Sequence, residues 1–188
     1  QLEVFHHLVQ NARYTEWGRK YGYEDLRDPD EFRARVPVQD YEDVKPFVAR
    51  MRKGEQNILW PTDVRWFAKS SGTTSDRSKF IPVSREALED CHYKGGKDLI
   101  AFHYQQFPES KLYQGMSLVV GGSSTIEQLR GDAYSGDLSA IIIRNLPFWV
   151  EVRRTPVIET ALMENWEQKI ERMARETMRE DVRCIAGV

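Results

Sequence analysis

Near residue 57 the hydrophobic pattern changes period, and that change decides the class of fold. Before it, Leu2, Phe5, Val9 and Ala12 recur at steps of three and four, which predicts a helix to about Tyr14 or beyond. Asp28-Pro29-Asp30-Glu31 reads as a helix start, with an Asp cap, Pro in the first turn and acids at the positive end. A further helix begins near Asp40 with Val44, Phe47, Val48 and Met51 on one face; Pro46 predicts a break or a fresh first turn, and Gly54 closes it. After the change, Ile58-Leu59-Trp60, Val64–Ala68 and Phe80–Val83 are short β-like runs.

Ser84 can cap a long helix through about Gln106, with Leu88, Cys91, Gly95, Leu99 and Phe102 on its apolar face. Met116–Val120 reads as a buried strand ending at Gly121-Gly122, and Ala140–Ile143 fits a strand or a buried helix. A last helix spans roughly Thr160 to Met178, its core stripe being Leu162, Trp166, Ile170, Met173 and Thr177. Val182–Val188 closes the chain as a strand. Strands interleaved with helices make this an α/β chain, mainly helical over 1–56 and mixed over 57–188.

The chain has 188 residues, enough for one domain with a real core. It begins inside a helical pattern and stops within a strand-like run, so we expect part of a longer polypeptide. A net charge of −2 without a basic stripe argues against nucleic acid as partner. No apolar run approaches a membrane span, and the N-terminus lacks the basic and apolar regions of a signal peptide. Cys91 and Cys184 stand alone without metal spacing, as reduced core residues of a cytoplasmic protein do. His6, His7, His92 and His103 show no ligand spacing either, so no metal site is expected on them.

Chemistry concentrates in Ser70-Ser71-Gly72-Thr73-Thr74-Ser75-Asp76-Arg77-Ser78-Lys79. Backbone N–H groups can converge on phosphate oxygens only where side chains are small and a Gly tolerates unusual torsions. The hydroxyls add donors without bulk, and Lys79 adds a charge. Hydrogen bonds to charged groups contribute roughly 1.5–3 kcal/mol each, so three or four could hold a nucleotide. The same residues also suit a solvated hairpin turn. The loop is not a Walker A sequence, and an extended run follows it instead of a helix.

Lys69-Ser70-Ser71-Gly72-Thr73-Thr74, with a lysine and an apolar-Pro step after it, resembles the phosphate loop of the adenylate-forming superfamily. Upstream lie Val36-Pro37, Tyr41-Glu42-Asp43-Val44-Lys45-Pro46-Phe47, Arg50-Met51 and Gly54-Glu55. That block resembles the auxin-responsive-promoter (Gretchen Hagen) family of acyl acid–amido synthetases. The resemblance implies the N-terminal part of a large ATP- and acyl-binding domain, with the C-terminal domain and the remaining nucleotide and metal motifs past Val188. It implies Ser70, Ser71, Gly72, Thr73 and Thr74 as contacts to the phosphates of ATP, Mg²⁺ as companion ion, and Lys79 as the loop's lysine. Asp76 departs from the usual Gly of plant members, which limits the contacts to the first half of the loop. The substrates implied are a small carboxylic acid and an amino acid or amine. An acyl-CoA-type ligase of the same superfamily, or a non-catalytic scaffold, are the alternatives.

Lys94-Gly95-Gly96-Lys97 lies mid-helix, where each Gly costs about 1 kcal/mol relative to Ala. Close packing against another element would compensate. So would room for an acyl substrate whose carboxylate meets Lys94 or Lys97, since the resemblance sets this helix beside the acid-binding cleft. Gly121-Gly122-Ser123-Ser124-Thr125 follows a strand as a polar turn or a second anion loop.

Overall fold

The computed structural model describes residues 1–70, 78–121 and 126–187. In chain order its elements are α1 (Leu2–Ala12), α2 (Glu16–Lys20), α3 (Pro29–Arg35), α4 (Tyr41–Met51), β1 (Trp66–Lys69) and β2 (Phe80–Val83). They continue with α5 (Lys94–Gln106), β3 (Met116–Val120), β4 (Glu127–Gln128), β5 (Tyr134–Gly136), α6 (Leu138–Arg144) and α7 (Phe148–Glu151). The last are β6 (Arg154–Thr155), α8 (Ile158–Ala161), α9 (Trp166–Thr177) and β7 (Val182–Gly187). The mixture of leading helices and later strands is the α/β class expected from the change of period. Among the described residues no helix is long and apolar enough to cross a membrane.

The chain divides into two compact units. Among the described residues the first holds 1–67, 78–85 and 128–135; the second holds 68–70, 86–121, 126–127 and 136–187.

In the first unit, side-chain caps set the helix ends. α1 stops at Ala12, short of Tyr14, because buried Thr15 donates its hydroxyl to the Ala12 carbonyl at 2.7 Å and accepts the Gly18 N–H at 2.9 Å. One side chain thereby ends α1 and starts α2. Asp28 accepts from the N–H groups of Asp30 and Glu31 at 2.8 and 2.9 Å, with Pro29 in the first turn, as expected. Asp40 and Asp43 form a reciprocal capping box at the head of α4. Pro46 does not break α4, contrary to expectation: the helix runs through it to Met51. The box and the burial of Val48 and Met51 outweigh the one backbone bond that Pro46 removes.

Ile58-Leu59-Trp60 is not a strand. The carbonyls of Asn57 and Ile58 instead accept the Glu16 and Trp17 N–H groups, each at 3.0 Å, so this segment satisfies the open donors at the start of α2. Ile58 joins Val48, Met51, Val64, Phe67 and Ala133 in one core cluster. A second cluster gathers Val9, Ala12, Trp17, Tyr23 and Leu26. The sheet of this part of the chain has the order β2-β1-β5-β4.

The second unit carries a three-stranded sheet in the order β6-β3-β7, with β3 parallel to both neighbours. Ser117 faces Arg154 on one side and Cys184 on the other. Gly115, just before β3, lies against the other chain segment: a Cβ there would stand 2.2 Å from the Asp181 carbonyl oxygen. Ala140–Ile143 resolves as helix α6, with Ala140, Ile141 and Ile143 buried.

The expected single helix from Ser84 has wide π turns over Ala87–Tyr93 before the regular α5. A π turn takes more residues than an α turn, so the inward face moves by one position. Leu88 is buried, but Cys91, Gly95, Leu99 and Phe102 are exposed. Cys91 is therefore not a core residue; Cys184 is half-buried. The close packing expected at Gly95 and Gly96 is missing too, since a Cβ at either would meet nothing within 4 Å. Gly95→Ala should therefore stabilise the protein by about 0.5–1 kcal/mol, read from urea unfolding; a destabilisation would contradict the open surroundings of this position.

The expected helix from Thr160 to Met178 is two helices, α8 and α9, the second capped by Asn165, which accepts the Gln168 N–H at 3.0 Å. Its stripe is also turned from the expected one: Trp166 and Ile170 are exposed and Lys169 is fully buried. Polar bonds hold that orientation. The Lys169 ammonium donates to the Gly121 carbonyl at 2.6 Å, and the Thr160 hydroxyl donates to Glu176 at 2.7 Å.

Candidate functional site

The Ser/Gly/Thr loop joins β1 to β2, which are neighbours in their sheet. Ser70 directly follows β1 and is half-buried. Lys79 directly precedes β2, is exposed, and places its ammonium 5.5 Å from the centroid of the Tyr41 ring. The Tyr41 hydroxyl in turn accepts the Phe80 N–H at 2.8 Å, so the lysine's neighbour is fixed to the start of β2. Among the described residues Lys79 has no carboxylate partner. Ser71, Gly72, Thr73, Thr74 and Asp76 lie outside the described residues, as do Gly122, Ser123, Ser124 and Thr125. The two described ends of the loop carry a hydroxyl, on Ser70, and an ammonium, on Lys79.

A cavity of about 530 Å³ opens within the second unit. Leu88 anchors the helix that forms one wall, and the π turns bring His92 and Tyr93, then Gly96 and Lys97, then Ile100 onto the cavity face. Leu146, Pro147, Trp149 and Val150 also line it, together with Ser117, Val119 and Cys184 from the sheet. Such a mostly apolar cleft with few polar groups is the usual form of a small-molecule site.

Its polar groups differ in what they can still bind. The Tyr93 hydroxyl donates to the Asn145 carbonyl at 2.7 Å. Burial, with Glu89 adding to it, pushes its pKa up to about 12, so it remains a neutral donor held by the α6 end. The buried Arg154 guanidinium is taken up by Glu151 and the Pro156 carbonyl. Arg153 donates to the Tyr113 carbonyl and has no carboxylate partner among the described residues. Lys97 holds its ammonium 5.3 Å from the Trp149 ring centroid, also without one. Lys94 is exposed and does not line the cavity.

Residues 1–187 match the GH3 family N-terminal domain. The chain belongs to the GH3 family. It is 27% identical over 149 residues to a jasmonoyl–L-amino acid synthetase, JAR6, of Nicotiana attenuata, which covers 79% of this chain and 25% of that protein. It is 36% identical over 90 residues to a probable indole-3-acetic acid-amido synthetase, GH3.2, of Oryza sativa subsp. japonica, over 47% of this chain and 15% of the relative. Among solved structures it resembles the AtGH3.15 acyl acid amido synthetase in complex with 2,4-DB, at a TM-score of 0.73 and 19% identity, covering 89% of this chain and 29% of that one. The GH3 chain thus spans about a quarter of the length of the jasmonoyl synthetase it matches. The family is one of acyl acid–amido synthetases, ligases that make amides.

Sequence reasoning on this GH3 chain singled out Lys97 but missed Arg153, Tyr93 and Trp149 as cavity residues. No local signal marks them: Arg153 sits in an ordinary charged stretch, and Tyr93 reaches the cavity only through the π turns.

Proposed function

We propose that this GH3 chain is the ATP- and acid-binding part of a ligase that activates a small carboxylic acid as its acyl-adenylate and passes the acyl group to an amino acid. The cavity carries this reading: its apolar walls suit the body of an organic acid, and Lys97 and Arg153 supply positive charge for a carboxylate. Ser70 and Lys79, with the hydroxyls and backbone of Ser71, Gly72, Thr73 and Thr74, would hold the phosphates of ATP. Magnesium would neutralise phosphate charge, as it does in other nucleotide chemistry.

Bond changes are simple. A carboxylate oxygen bonds to the α-phosphorus and pyrophosphate leaves; the amine nitrogen then bonds to the acyl carbon, AMP leaves, and the amine loses a proton. The protein's part is positioning and charge neutralisation. Lys79 and the loop donors stabilise the departing negative charge. Lys97 orients the carboxylate without being consumed, and the apolar walls keep water from the activated carbonyl.

The test is ATP–pyrophosphate exchange by the full-length protein against a panel of carboxylic acids, followed by amide formation with amino acids. We expect exchange that depends on one class of acid and release of AMP on adding an amino acid. Exchange followed by transfer only to coenzyme A would replace the amide reading with a thioester one. Absence of exchange with every acid would overturn the adenylation reading.

A further inference from the structure

Two stretches far apart in the sequence, the start of α4 and the end of the Ser/Gly/Thr loop, meet through one side chain. Tyr41 opens α4 and is half-buried. Its hydroxyl accepts the Phe80 N–H at 2.8 Å, and Phe80 packs in turn against the cluster that holds Val48 and Phe67. The ring is thereby fixed beside Lys79, whose ammonium stands 5.5 Å from its centroid, within range of a cation–π attraction. The acids around Tyr41 are engaged in the helix start itself. Asp40 accepts the Glu42 and Asp43 N–H groups at 2.7 and 3.2 Å, and Asp43 accepts the Asp40 N–H at 3.0 Å. Glu42 pairs with Lys45 at 2.6 Å. A carboxylate beside Lys79 would neutralise its charge. A ring steers the ammonium and leaves its charge and donors for an anion.

We propose that Tyr41 is a positioning residue for ATP, its ring seating the Lys79 ammonium where that group meets the departing phosphates. The inference rests on the reading of Lys79 as a phosphate contact and adds the side chain that aims it. Lysine is a point charge on a flexible stem, and ordering it before the nucleotide arrives lowers the entropy cost of binding. The two parts of Tyr41 do separate work. The hydroxyl ties the start of α4 to β2 and acts on stability. The ring acts on Lys79 and so on ATP affinity.

The experiment measures Kd for Mg·ATP and for AMP by equilibrium dialysis of the full-length protein, with thermal unfolding of each variant alongside. Lys79→Ala should weaken ATP binding by roughly 10–150-fold, the loss of one charge-assisted hydrogen bond. Tyr41→Leu should weaken it by roughly 3–30-fold, the loss of a cation–π seat. Tyr41→Phe keeps the ring, so its ATP affinity should stay within about threefold of wild type although its Tm falls. In a Lys79→Ala background, Tyr41→Leu should weaken ATP binding no further. AMP, which lacks the phosphates that Lys79 meets, should bind every variant as it binds wild type. Should Tyr41→Leu fail to fold, Tyr41→Met, which adapts to irregular space, takes its place in the cycle.

Equal losses of ATP affinity in Tyr41→Phe and Tyr41→Leu, an undiminished effect of Tyr41→Leu without Lys79, or a parallel loss for AMP would overturn the seat. A weakened Lys79→Ala beside a Tyr41→Leu of wild-type affinity would overturn the role of Tyr41 and leave the phosphate reading of Lys79 standing. Wild-type ATP affinity in Lys79→Ala, or no ATP binding by the protein at all, would overturn both.

Discussion

Gly72→Val in the full-length protein is expected to abolish acid-dependent pyrophosphate exchange. A β-branched side chain removes the torsional freedom of glycine and puts bulk where backbone N–H groups would approach phosphate oxygens. Because such a change could also disturb folding, the paired variant Ser71→Ala with Thr73→Ala makes the same test through hydroxyls alone. Each removed donor to developing negative charge costs about 10²–10³ in rate, so the double variant should also lie below detection. Thermal unfolding of both variants would be measured alongside. Wild-type exchange in either would sink the assignment of this loop to ATP.

The second large effect is on stability. Phe67 is fully buried at the centre of the cluster of Val48, Met51, Ile58, Val64 and Ala133. Phe67→Ala should destabilise the protein by about 3–5 kcal/mol through lost transfer energy and the cavity left behind. Phe67→Leu, which keeps most of the volume, should cost far less. Urea titration of the full-length variants checks both, and a loss below about 1 kcal/mol for the alanine variant would contradict the packing described.

Much of this was legible in the sequence where the signal is local. The caps at Asp28 and Asp40, the strands at Met116 and Val182, and the α/β class follow from residue types and spacing that act over a few positions. The failures share a cause: contacts from far along the chain decided the outcome. Ile58–Trp60 has strand-like composition, yet its carbonyls are taken by the start of α2. The α9 stripe is turned because Lys169 reaches Gly121, a partner forty-eight positions away. The α5 face slipped by one residue because π turns leave no mark in side-chain periodicity.

The candidate site divides in the same way. The Ser70–Lys79 loop stands out from composition and resemblance, and its ends take up neighbouring strands. Lys97 and the glycine pair were visible as an anomaly in a helix. Arg153, Trp149 and Tyr93 became site residues only when three separate elements closed around one cavity.

The order β6-β3-β7 has a consequence for how the chain is made. β3 emerges from the ribosome long before either of its partners, because Arg154 and Cys184 must follow before Ser117 can be paired on both sides. Parallel pairing of such distant segments closes large loops and is slow. Until then the run Met116-Ser117-Leu118-Val119-Val120 presents an apolar strand with both edges open, the kind of segment that aggregates or recruits chaperones. Completion of the cavity, which that sheet lines with Ser117, Val119, Arg154 and Cys184, is accordingly one of the last events in the birth of this unit.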